Sequence, residues 1–457
     1  MTTATRRFAA AVAMAVAVAT GGGAQQPAQD RPATARLMAY LKAFNSSDPA
    51  EVRRFIEDNF AESALRETSA DARVARYASA RTRLKSMTLR KIVAERENRT
   101  FALVAAGNQE VILLRADVEP APPHKLLAVM LEMVEDPDNV AVPDPKQDDA
   151  ALAGAVRAEM EARSKADTFS GVVLVAKGPA VIVHEAYGLA DRARKIPNRR
   201  DTMFNLGSIN KSFTQVAIHQ LEKAGKLSLA DTIGKFLPDY PNRQAAEQVT
   251  IRHLLTMTSG IGDFFGPRYQ ATPKERIRSL KDYLPLFADL PLEFAPGTGN
   301  RYSNGGYVVL GAIIEKASGE DYYSYVREHV FRPAGMLATD SYPRDAATPN
   351  LALGYTSHGR SGRERVLNVD TLPGRGSSAG GGYSTAEDML RYVRALASGT
   401  LVLPDLRGGL GIAGGAPGIN AAVEWDARTG YVVIVLANLD PPAAMQVAQL
   451  VRNWLPE

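Results

Sequence analysis

The chain has no cysteine in 457 residues. This excludes disulfides, thiolate metal sites, a cysteine nucleophile and lipid attachment at a leader cleavage site. Histidine is scarce: His124, His184, His219, His253, His329 and His358 are scattered, with no pair at metal-ligand spacing and no H-E-x-x-H. No metal or other cofactor is implied. Charge of one sign is not in excess either, since 54 Lys and Arg face 50 Asp and Glu, and Arg6 and Arg7 lie at the extreme N-terminus. No nucleic-acid partner is expected. The cluster Arg192, Arg194, Lys195, Arg199 and Arg200 is short, is broken by Pro197 and reads as a solvated turn.

Long apolar runs are absent beyond the N-terminus. Residues 1–24 carry Arg6 and Arg7, an apolar run from Phe8 to Ala19 and small residues ending at Ala24, the pattern of a secretory signal peptide. The run is shorter than the about 20 residues of a transmembrane helix. The expectation is an exported chain, periplasmic or extracellular, with no stable membrane span after cleavage; an uncleaved anchor is the alternative. What is present fits a folded, soluble protein of two or three domains: 45% apolar and 23% charged residues.

Residues 33–135 show three helical patterns, near Ala35–Phe44, Pro49–Phe60 and Ala70–Met87, then strand-like runs near Leu89–Arg96, Thr100–Ala105, Glu110–Val118 and Lys125–Val134. Asp48 ahead of Pro49 is a helix start signal. Helices followed by strands suggest a small α+β domain, and the element order resembles the cone-like nuclear-transport-factor-2-like domains. The Asp- and Pro-rich stretch 136–149 reads as a linker. From residue 150 a hairpin runs Ser170–Tyr187 with its turn at Lys177, Gly178 and Pro179, a helical middle follows, and a second hairpin, Asn420–Asn438, precedes a helix near Ala443–Leu455. Strands at both ends of this segment suggest one antiparallel sheet closed by the termini.

Ser208 stands where a helical pattern begins, with Phe213, Val216, Ala217 and Leu221 at helical spacing, and Lys211 lies one turn on along the same face. A serine hydroxyl is a poor nucleophile until a base takes its proton, and a desolvated lysine can be that base. The bland reading is an N-cap serine followed by a surface lysine. Tyr-x-Asn occurs twice. Tyr240-Pro241-Asn242 sits in a Pro-rich turn and reads as structural. Tyr302-Ser303-Asn304 lies among glycines that let a phenol and an amide approach a cleft. Gly409, Gly411 and Gly414 fit G-x-G-x-x-G but lead into a strand, against a dinucleotide fingerprint.

Together these segments resemble the serine β-lactamase and penicillin-binding-protein superfamily, in particular its class C-like esterase and D-aminopeptidase branch. The matching pieces are Gly207–Phe213, Val249–Thr256 with Thr258-Ser259-Gly260, Pro296-Gly297 through Asn304, Ala379–Gly382 with Ser384–Asp388, and Gly414–Gly418. The resemblance implies an α/β (α+β) fold, an antiparallel sheet flanked by helices, and an acyl-enzyme on Ser208. Lys211 and Tyr302 would relay protons, Asn304 would orient Lys211 and the acyl group, and the amides of Ser208 and Gly415 would face the acyl oxygen. His253, within one motif, reads as structural.

The family's third motif, Lys-Thr-Gly or His-x-Gly, aligns with Ile412-Ala413-Gly414. With no lead cation, Ile412 as a wall residue argues against strong binding of a carboxylate-bearing lactam, although Arg407 could supply a substitute charge. The reading is a serine hydrolase acting on a small-molecule or peptide ester or amide. A weak β-lactamase or D-alanyl carboxypeptidase is one alternative; the other is a non-catalytic binding protein whose N-terminal domain takes a ligand or partner.

Overall fold

The computed structural model describes residues 31–134, 142, 144–146, 148–357, 364–404, 406 and 408–456. The expected leader, most of the expected linker, His358 and Arg407 lie outside the described residues. Backbone packing divides the chain into two units, with the boundary after Val142.

The first unit has helices Pro32–Asn45, Pro49–Asn59, Glu62–Glu67 and Ala70–Leu84, then strands Met87–Glu95, Arg99–Ala106, Val111–Val118 and Leu126–Met133. The strands pair in chain order, each antiparallel to the next. Strand alternation gathers Ala102, Val104, Ile112, Leu114 and Ala116 into a core with Leu37, Leu41 and Phe44 of the first helix and Phe55 and Ile56 of the second. Asp48 caps that second helix by accepting the Ala50 N–H at 2.8 Å, with Pro49 in its first turn. The helix expected to reach Met87 stops at Leu84, because Lys85 adopts a φ of +66°. Met87 then starts a strand and is buried. The helix Glu62–Glu67 was outside the expectation: six residues are too few to establish a helical period.

The second unit begins inside the stretch expected as linker. Asp148 accepts the Ala151 N–H at 2.8 Å and caps helix Asp149–Lys165, whose Leu152, Val156 and Met160 recur every four residues and are buried. The central sheet is antiparallel throughout, in the order Gly409–Ala416, Ile419–Asp426, Tyr431–Ala437, Gly171–Lys177 and Ala180–Tyr187. Both expected hairpins are present, and the strands from the two ends of the unit meet where Tyr431–Ala437 pairs with Gly171–Lys177.

Alternation in these strands gives the sheet two apolar faces. Val173, Val175, Val433 and Val435 pack with Asp149–Lys165 and the C-terminal helix Ala443–Trp454. Val172, Leu174, Ile434 and Leu436 face the opposite core, which contains helices Asn210–Lys223, Asn304–Ser318 and Ala386–Ala397. This mixed α/β arrangement, an antiparallel sheet between helical layers, matches the fold class expected from the sequence. Among the described residues no helix is long and apolar enough to cross a membrane.

The features set aside as structural have structural partners. Asn242 caps helix Arg243–Gln248 through the Ala245 N–H at 2.9 Å, and Tyr240 is core. His253 Nδ1 accepts the Thr250 N–H at 3.3 Å within a capping box. Arg192, Arg199 and Arg200 pair with Asp167, Asp201 and Glu185. Gly409, Gly411 and Gly414 lie within a single strand.

Candidate active site

Ser208 sits in a 3-10 turn, Gly207–Ile209, that runs straight into helix Asn210–Lys223. Phe213, Val216, Ala217, Ile218 and Leu221 bury one side of this helix. Phe213 meets Phe331 and Tyr392 edge-on, with ring centroids 5.0 and 4.9 Å apart, so the turn ahead of it is carried on a rigid element. Gly207 holds a φ of +51°, a conformation that favours glycine. A Cβ on Gly414 would stand 2.0 Å from the Leu206 carbonyl oxygen and 2.8 Å from the Ser208 nitrogen. Only glycine there allows strand Gly409–Ala416 to lie against the serine turn, and the Gly415 nitrogen comes within 3.0 Å of where a Gly207 Cβ would be. The two backbone amides expected to face an acyl oxygen therefore belong to segments in direct contact.

Lys211 is buried, only 6% exposed. Its Nζ stands 3.2 Å from Ser208 Oγ, 2.6 Å from Asn304 Oδ1 and 2.6 Å from the Ala379 carbonyl oxygen. Burial pulls its pKa down to about 7, against an upward pull from the Asp263 carboxylate. A neutral amine has two N–H donors and one lone pair. The two short contacts accept the two donors, which leaves the lone pair for the serine hydroxyl. The geometry thus suits lysine as a proton acceptor.

Tyr302 donates its hydroxyl to Ser208 Oγ at 2.5 Å from the other side, and its ring lies 4.7 Å from Lys211 Nζ. The residue is 52% exposed at the cavity, yet partial desolvation outweighs the Ser208 hydrogen bond and holds the phenol above its ordinary range. Asn304 opens helix Asn304–Ser318, whose Ser303 cap accepts the Gly306 N–H at 2.8 Å. The sequence-selected Ser208, Lys211, Tyr302 and Asn304 form one hydrogen-bonded group, although about 90 residues separate the two pairs.

A cavity of about 920 Å3 opens over Ser208. Phe264, Phe265, Tyr269 and Met445 give it apolar walls, and Gly414 and Gly415 line it beside the serine. Ile412 does not belong to this wall. It packs half-buried against the main core, and its neighbour Ala413 lines the cavity instead, because successive strand side chains point to opposite faces. The expectation that Ile412 touches substrate is corrected accordingly. Lys274, Arg344 and Arg375 also line the cavity, each bonded to backbone carbonyls, of Thr272, Val369 and Ser341.

Sequence reasoning missed two members of the group. The Ala379 carbonyl is a backbone acceptor, invisible in the residue type, although Ala379 opens one of the matched segments. Asp263 Oδ2 accepts the Asn304 Nδ2–H at 2.6 Å. Its only signal was position: an acidic residue three places beyond Thr258-Ser259-Gly260, ahead of the aromatic pair Phe264 and Phe265.

A serine between a dry lysine and a tyrosine, at the edge of an antiparallel sheet between helical layers, defines a hydrolase-type site of the β-lactamase and penicillin-binding class. The family model described as Beta-lactamase matches residues 152–408, and the chain belongs to that family. The esterase EstB of Burkholderia gladioli is 31% identical over 315 residues, which are 61% of this chain and 77% of EstB. Putative penicillin-binding protein PbpX of Bacillus subtilis (strain 168) is 32% identical over 234 residues, 51% of this chain and 56% of that protein. The chain spans about half the length of the penicillin-binding relatives it matches in that organism. Among solved structures, a penicillin binding protein from Bacillus halodurans is 30% identical with a TM-score of 0.59, over 66% of this chain and 99% of that one.

Proposed function

We propose that the chain is an exported serine hydrolase that cleaves an ester or amide bond through an acyl-enzyme on Ser208. The observation that carries this reading is the buried Lys211 amine, bonded to Asn304 Oδ1 and the Ala379 carbonyl oxygen with Ser208 Oγ at 3.2 Å, so that in its neutral form the lone pair is left for the serine hydroxyl. In the first step Oγ bonds to the substrate carbonyl carbon and its proton passes to Lys211 Nζ. The tetrahedral oxygen takes hydrogen bonds from the Ser208 and Gly415 amides, and a donor of this kind typically contributes about a hundredfold or more in rate. As the bond to the leaving alcohol or amine breaks, the proton returns to it by way of Tyr302. Water then enters, gives its proton to the same relay and attacks the ester on Ser208, releasing the acid and restoring the serine.

A neutral, largely apolar acyl donor is favoured by the aromatic wall and by Ile412 standing where the third motif would carry its lead cation. Export rests on the leader expected at residues 1–24. A binding role for the N-terminal unit, separate from this chemistry, rests on its expected family resemblance.

The test is intact mass after parallel incubation with a fluorophosphonate and a labelled penicillin, using wild type and Ser208→Ala. An adduct from the fluorophosphonate alone, lost in Ser208→Ala, is the expected result. Labelling retained in Ser208→Ala would overturn the assignment. The names of the penicillin-binding relatives favour a second reading, a penicillin-reactive enzyme, and a Ser208-dependent penicilloyl adduct would bring it forward. Labelling by neither probe would favour a binding protein.

A further inference from the structure

The Asp263 carboxylate stands one residue behind the serine–lysine–tyrosine group, and its two oxygens have separate tasks. Oδ1 accepts the Phe265 N–H at 3.0 Å, which closes the loop, and Oδ2 accepts Asn304 Nδ2–H at 2.6 Å. Both neighbours are donors, so both atoms at position 263 must be acceptors. A carboxylate meets that condition, whereas an amide would present its NH2 group to one of the two donors.

The orientation of Asn304 decides what Lys211 can do. With Nδ2 held by Asp263, Oδ1 faces Lys211 Nζ and accepts one of its hydrogens. In the flipped amide Nδ2–H would point at Nζ and compete with the serine hydroxyl for the lysine lone pair. The surrounding packing keeps this connection short. Ser303 Oγ donates to the Gly262 carbonyl at 3.0 Å, and a Cβ on Gly305 would fall 2.4 Å from that same oxygen.

We propose that Asp263 is a positioning residue that locks the Asn304 amide with its oxygen toward Lys211, so that the lysine lone pair stays free for Ser208. The proposal rests on the acyl-enzyme reading above. It also ties the reacting group to the cavity wall, because Phe264 and Phe265 follow Asp263 in the same loop and line the cavity. The other titratable groups facing Lys211 are the phenols of Tyr302 and Tyr307, whose rings lie 4.7 and 5.5 Å from Nζ. Segment 377–381 brings the Ala379 carbonyl. The carboxylate favours the protonated lysine, and a flipped Asn304 disfavours it. Loss of Asp263 therefore shifts lysine titration in one direction, toward lower pH, by both routes.

The experiment follows the 13Cε resonance of Lys211 through pH 5–10 in wild type, Asp263→Asn and Asp263→Ala, alongside pH profiles of ester hydrolysis and thermal melting. The expected result is a titration midpoint lower by about one pH unit or more in both variants. The acid limb of kcat/KM should move the same way, and plateau kcat should fall about tenfold or more with KM little changed. An unmoved or raised midpoint in variants that melt like wild type would overturn the proposal, and so would a retained plateau kcat. The resonance reports on Asp263 whether or not the chain turns over ester, so a wild type without Ser208-dependent activity would refute the acyl-enzyme reading separately.

Discussion

Replacing Lys211 with methionine tests whether the lysine is held in the state its contacts indicate. Methionine keeps an unbranched side chain in a site that is 6% exposed and removes the amine. In the folded protein burial holds the Lys211 pKa at about 7 despite Asp263, whereas an unfolded lysine titrates near about 10.4. Between these values the unfolded chain binds a proton that the folded chain does not. Wild-type stability therefore gains about 1.4 kcal/mol per pH unit from this group as pH rises. Below about pH 7 both states are protonated, and the full penalty, roughly 4–5 kcal/mol, is present.

Methionine has no such dependence. It leaves Asn304 Oδ1 and the Ala379 oxygen without their donor, a loss of about 1–3 kcal/mol each that does not vary with pH. The advantage of Lys211→Met over wild type should therefore shrink by about 2–3 kcal/mol between pH 7 and pH 9, whatever its absolute sign. Both tryptophans, Trp425 and Trp454, lie in the second unit, so urea unfolding followed by tryptophan fluorescence at several pH values reads that unit directly. A difference that stays flat or widens over this range would refute the argument that burial keeps the amine neutral.

Three further substitutions separate chemistry from scaffold. Tyr302→Phe removes the hydroxyl at Ser208 from a half-exposed residue, so kcat/KM for an ester should fall about a hundredfold or more, with no change in melting temperature. Asn242→Ala removes a helix cap in the second Tyr-x-Asn and should cost about 1 kcal/mol in urea unfolding, leaving the fluorophosphonate labelling rate as in wild type. Ile412→Ala should destabilise by about 1–2 kcal/mol, as trimming a half-buried side chain does, with labelling again unchanged. A large loss of labelling in Ile412→Ala would return that residue to the substrate wall.

Local pattern determined more of this protein than composition alone suggests. Continuous apolar runs, residues 172–176 and Tyr431–Ala437, marked the inner strands of both hairpins, because a strand covered on both faces must be apolar at nearly every position. Asp48 with Pro49 marked a helix start through the chemistry of its own first turn. Ser208 and Lys211 could be paired from the sequence because a separation of three places side chains on one face of a helix. The helix Asp149–Lys165 was legible in Leu152, Val156 and Met160 but was obscured by the Asp- and Pro-rich stretch before it, where a cap and a linker use the same residue types.

Tertiary structure decided the rest. Whether Lys211 is an ordinary surface cation or a dry amine depends on how much water its neighbours exclude, and those neighbours come from Asn304–Ser318, the Ala379 segment and the Asp263 loop. Tyr302 meets Ser208 only because two helices remote in sequence share one core. Asp263 reads as a loop carboxylate until the fold sets Asn304 against it, and Ile412 reads as a wall residue until strand register turns it inward. Spacing along the chain determines which side chains share an element's face; long-range packing determines which faces meet and how dry the space between them is, and the proposed chemistry depends on that dryness.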